Sequence, residues 1–195
     1  NPEGAPHGRE LRWPGRLQNL LGDDWYVIEE GMGGRTTVWD DPLEPNRRGI
    51  AALPIALTSH RPLDLVIISL GTNDCKAFFH ASPKVIARGA EALCKLVLNF
   101  DYGPWAQVPR ILLVSPIYIG DRIETSPYVS FDSESPEKSR CLGPLYEEIA
   151  RQYGCLFLDG AKVAGPSELD QLHMDGENHR AMADAIYEII KRGLQ

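Results

Sequence analysis

No apolar run in the 195 residues reaches the roughly 18 needed to span a bilayer, so nothing in the sequence reads as a membrane segment. Cysteine is scarce: Cys75, Cys94, Cys141 and Cys155 are widely spaced and form no Cys-x-x-Cys pair. In a chain of this length that spacing reads as reduced thiols rather than a disulfide framework or a zinc site. Positive charge is also in deficit, with 20 Lys and Arg against 27 Asp and Glu. Arg47-Arg48 is the densest basic pair, so no basic face for nucleic acid is expected. Neither Gly-x-Ser-x-Gly nor Gly-Asp-Ser occurs, and none of the ten serines sits in such a context. No Gly-Lys-Ser/Thr follows the glycines at 31–34, which excludes a phosphate loop. The chain opens Asn1-Pro2-Glu3, with no methionine and no signal-peptide pattern. The expectation is a mildly acidic cytoplasmic protein whose upstream segment is missing from this sequence, with secretion left open by that gap.

What is present suffices for a core: 43% of residues are hydrophobic, enough for a single domain over residues 1–195. Four apolar runs read as buried strands: Trp25–Ile28, Leu65–Leu70, Ile111–Val114 and Cys155–Leu158. Helix-period segments lie between and after them, at 11–21, 84–99, 136–153 and 178–191. Ser82-Pro83 opens the second in N-cap and N1 fashion, and Lys191 and Arg192 suit the last turn of the fourth. Alternating strands and helices predict a three-layer α/β fold with a mostly parallel sheet. Thr36–Pro62 and Tyr118–Ser135 read as long irregular loops at strand carboxyl ends, the side where such sheets bind ligands.

Three clusters could carry chemistry. Gly71-Thr72-Asn73-Asp74 follows a buried strand and aims Asn73, an uncharged N–H donor, at the ligand edge; the competing reading is an ordinary turn. Glu30-Gly31-Met32-Gly33-Gly34-Arg35 would let backbone N–H groups approach a ligand, although tight turns need glycine too. Asp170 stands three residues before His173, where its carboxylate can fix one ring nitrogen and leave the other as a general base. A metal site from His173, Asp175 and His179 competes, but the two histidines are six apart with no further ligand cluster.

Taken in chain order, these clusters resemble the SGNH (GDSL-type) hydrolases. Val27–Gly31, Arg35-Thr36-Thr37, Pro62–Ile68 and Leu70–Asp74 look like the bacterial arylesterase/acyltransferase branch of that family. The resemblance implies a flavodoxin-like sheet order with the first strand between the second and third. It implies Gly34 and Asn73 as oxyanion donors, and Asp170 and His173 as catalytic acid and base. It further implies small ester substrates, a homo-oligomer, no metal or organic cofactor, and a pocket mouth shaped by Tyr118–Ser135.

The family's Gly-Asp-Ser block, at the end of its first strand, has no counterpart here. The nucleophile is therefore expected upstream of residue 1, on a strand without which two mid-sheet edges would stand unpaired. Asp132-Ser133 imitates the motif but follows no buried strand, Ser69 and Ser115 read as structural, and Cys75 reads as a small semi-buried residue rather than a thiol nucleophile. The alternative function is a catalytically silent α/β binding domain, with a metal-dependent hydrolase behind it.

Overall fold

The computed structural model describes residues 7–193. Its centre is β2 (Arg110–Ser115), where every side chain from Ile111 to Ser115 is buried. Alternation along the strand sends Ile111 and Leu113 into one core and Leu112 and Val114 into another. The first core is shared with α2 (Gly49–His60), α3 (Pro83–Asn99) and α5 (Leu142–Tyr153). The second is shared with α1 (Trp13–Leu21) and α6 (Gly176–Gly193). Burial on both faces is why this strand reads as an uninterrupted apolar run. β1 (Leu65–Ile68) and β3 (Leu156–Asp159) flank it, both parallel, in the order β1-β2-β3. Helices on both faces of a parallel sheet make the three-layer α/β fold that the sequence pattern implies.

Three elements depart from expectation. Trp25–Ile28 forms no strand and pairs with none among the described residues. The Gln18 side chain serves its backbone instead, donating to Trp25 O at 2.9 Å and accepting from Val27 N at 2.7 Å. The stretch expected to be irregular between Thr36 and Pro62 contains α2. That helix is apolar on all sides and carries Pro54 in its interior, so neither periodicity nor composition announced it. The segment 136–153 is two helices, α4 (Ser135–Arg140) and α5, divided at Cys141. Pro144 has no N–H to offer the Arg140 carbonyl, so the ladder is interrupted there. The Tyr118–Ser135 connection remains largely irregular yet is tethered by buried Ile119, Ile123 and Phe131.

Candidate active site

Asp170 is held before it meets its histidine. Its Oδ1 accepts from Leu172 N (3.0 Å), His173 N (2.9 Å) and Ser167 Oγ (3.1 Å), and its Oδ2 lies 2.8 Å from His173 Nδ1. Burial alone would raise the Asp170 pKa, but these hydrogen bonds and the imidazole outweigh it and hold the carboxyl below its ordinary value. An ionised Asp170 favours the proton on Nδ1, and in the neutral ring that tautomer leaves the Nε2 lone pair available. The segment is locked from below by buried Leu172 and by Gln171, whose carbonyl accepts from Gly120 N at 2.7 Å. Gln171 takes a left-handed φ of 62°, an uncommon conformation for a side chain of its size, and so the bend between Asp170 and His173 is imposed by its surroundings.

The turn after β1 presents the second group. Gly71 has φ 126°, and a Cβ there would run into Tyr146 Oη, which donates to Leu70 O at 2.9 Å. Two residues on, Asn73 donates from Nδ2 to Arg35 O at 3.1 Å. A primary amide has two N–H bonds, so one is anchored and the other remains to donate. Arg35 follows Gly34, which has φ 75° and is backed by Glu44 and Arg47, where a Cβ would press on both side chains. Behind them, Lys76 Nζ bonds Asp41 at 2.6 Å and Glu44 at 3.0 Å, fixing the floor of this loop.

Gly34, Asn73, Asp170 and His173 all line one cleft of about 1970 Å³. The Tyr128 ring, from the long loop after β2, closes on His173 with centroids 5.1 Å apart and planes at 65°. The sequence reading did not single out Tyr128 or Gln171, which act through a contact distant along the chain and through backbone geometry. Nor did it single out Ser167, whose hydroxyl three residues before Asp170 was a local signal that could have been found.

The remaining candidates separate. Cys75 is fully buried, and burial pushes its thiol up to about 12, which removes it as a nucleophile. Ser115 is buried and bonds Asp159 and Gly160 N, a structural role as expected. Ser133 is exposed outside this cleft. Ser69, read from the sequence as structural, is exposed and lines the cleft, without bonding the His173 ring. Asp175 Oδ1 is occupied at the start of α6, accepting from Asn178 N at 2.9 Å. His179 is half-buried, and burial with nearby His7 lowers it to about 4, so it is neutral and accepts from Trp13 N at 3.4 Å. Neither group is turned to a shared centre with His173, and among the described residues no three His, Cys, Asp or Glu side chains gather at metal-binding spacing.

A family model of GDSL-like lipases and acylhydrolases matches residues 2–181. An acetylxylan esterase from Xylanibacter ruminicola is 26% identical over 209 aligned residues, covering 92% of this chain and 38% of that protein. The chain therefore spans well under half of that relative's length. Among solved structures, the M. smegmatis aryl esterase is similar with a TM-score of 0.90 at 35% identity, covering 98% of this chain and 91% of the other. A carbohydrate acetylesterase from Sinorhizobium meliloti gives 0.89 at 34% identity, covering 97% and 90%.

Proposed function

This chain belongs to the GDSL-like lipase/acylhydrolase family, and from that premise we propose that it is a carboxylic ester hydrolase that cleaves small esters through a serine acyl-enzyme. The observation that carries the reading is the Asp170–His173 pair, with Nε2 unengaged among the described residues, opening onto the same cleft as the Asn73 amide and Gly34. His173 takes the serine proton as the hydroxyl attacks the ester carbonyl, then returns it to the leaving alcohol. In the second half it deprotonates water, or an alcohol in acyl transfer, to release the acyl group. Asp170 orients the ring and offsets the charge that forms on it. The Asn73 amide and the Gly34 N–H stabilise the oxyanion, each such donor contributing about 3 kcal/mol or more to the barrier reduction.

The nucleophilic serine is assigned to a strand N-terminal to residue 1. That strand would run through the cleft, which both β1 (Leu65–Ile68) and Trp25–Ile28 line. Among the described residues one edge of β1 has no strand partner, and a strand inserted there would satisfy its backbone groups. A homo-oligomer accompanies this reading, supported by the resemblance to the arylesterase branch and by exposed Val129 and Leu169 on the loops around the cleft. Domain extent follows the same reading, one hydrolase domain across residues 1–195.

The test is the intact mass of the full-length protein before and after a fluorophosphonate. One stoichiometric adduct, mapping upstream of residue 1 and blocking ester hydrolysis, is expected. No adduct would return the chain to the silent binding-domain reading, and an adduct on Ser69 or Ser133 would move the nucleophile from the upstream strand to that residue.

A further inference from the structure

Thr37 and Asp74 are both fully buried, and neither lines the cleft. Yet they join the two segments that carry the oxyanion donors. Both oxygens of the Asp74 carboxylate lie 3.1 Å from Thr37 N, and Oδ1 also accepts from the Thr37 hydroxyl. Asn73 is the immediate neighbour of Asp74, and Gly34 lies three residues before Thr37. A shift at this contact therefore reaches both donors through very short links. The loop is held from its other side as well: the first N–H groups of α2 donate from Gly49 to Thr36 O and from Ile50 to Thr37 O, each at 2.9 Å. The Thr37 hydroxyl sits in a notch of α3 that exists because position 89 is glycine; a Cβ there would overlap Oγ1.

A buried carboxylate is a costly way to hold a loop if only packing is at stake. Burial raises Asp74 to about 6, against the Thr37 hydrogen bonds and the more distant charge of Lys76. What an ionised carboxylate supplies is an acceptor for the N–H and the O–H of one residue together, which fixes that residue's position and orientation at once.

We propose that Thr37 and Asp74 are positioning residues that set the spacing between the Gly34 N–H and the Asn73 amide, and so tune oxyanion stabilisation without touching substrate. This rests on the esterase reading above.

The test compares Thr37→Val, which keeps the volume and removes the hydroxyl, with Thr37→Ser, which keeps the hydroxyl, in the full-length protein. Thr37→Val should lower kcat about ten- to a hundredfold with KM within about twofold, the scale expected of a small misplacement of catalytic groups. It should weaken a trifluoromethyl ketone, which forms a tetrahedral oxyanion, by a similar factor. Thr37→Ser should return both to within about threefold of the parent. Combined with Asn73→Ala, Thr37→Val should cost far less than the product of the single effects, because the clasp acts through the donor already removed. If Thr37→Val does not fold, Asp74→Asn is carried through the same comparison. A lowered Tm with unchanged kcat and ketone affinity would overturn the proposal, as would fully multiplicative losses. Asn73→Ala alone keeps the two readings apart: no loss there removes the oxyanion site itself, whereas a loss there with none at Thr37 removes only the clasp.

Discussion

Asp170 receives two backbone N–H groups and the Ser167 hydroxyl in addition to the imidazole, so its position does not depend on His173. The dependence runs the other way: the His173 side chain is largely exposed, and Asp170 is the group that fixes its tautomer. Asp170→Asn should therefore leave Tm nearly unchanged while lowering kcat by roughly three to four orders of magnitude. An asparagine can present its amide to Nδ1 and hold the wrong tautomer. Circular dichroism melts alongside steady-state rates check this, and a variant retaining a tenth of the parent rate would remove Asp170 from the dyad.

At the scale of elements, α3 and α5 are tied by more than apolar contact. Glu91, buried in α3, accepts from Tyr153 Oη of α5 at 2.6 Å and is also paired with Lys95 and Arg88. Burial pushes its pKa up, but the hydrogen bonds from Lys95, Tyr153 and Arg88 prevail and bring it to about 2, from an ordinary 4.5. A folded-state pKa lowered in this way contributes stability that is fully present above 4.5 and is lost as pH falls toward 2. Glu91→Gln should cost about 1–3 kcal/mol at neutral pH, roughly 3–10 °C in Tm for a domain of this size. Calorimetry through the acid range should show the two melting temperatures converging below pH 4.5, and a constant gap would contradict the linkage.

For the molecule as a whole, the edge of β1 that has no strand partner among the described residues, and the cleft beside it, are the dominant features. The loops around that cleft expose Val129, Leu169 and much of Tyr118. If these cover one another between copies, light scattering of the full-length protein should give a multiple of the protomer mass. Changing Val129 and Leu169 together to serine should lower that mass toward one protomer with the ester-hydrolase rate per site largely kept. A parent protein that runs as a monomer would end this expectation. None of the described helices is long and apolar enough to cross a membrane.

Much of this protein is written in local pattern. The runs at 65–68 and 110–115 are strands because residues that alternate faces and are apolar on both can be buried only in a covered sheet. The Asp170–His173 contact is similarly local, because a three-residue bend suffices to bring carboxylate and ring together. Periodicity misled where a hydrogen-bond partner, rather than composition, decided the element. Trp25–Ile28 has strand composition, but a strand is defined by its neighbour, and Gln18 serves the backbone here. Helix α2 is hidden by Pro54 and by apolar residues on every side, and is secured through Thr36 and Thr37. Only the tertiary structure brought Thr37 to Asp74 and Tyr128 to His173, since hydrogen bonding and ring packing depend on distance in space, which sequence spacing does not encode beyond a few turns of chain.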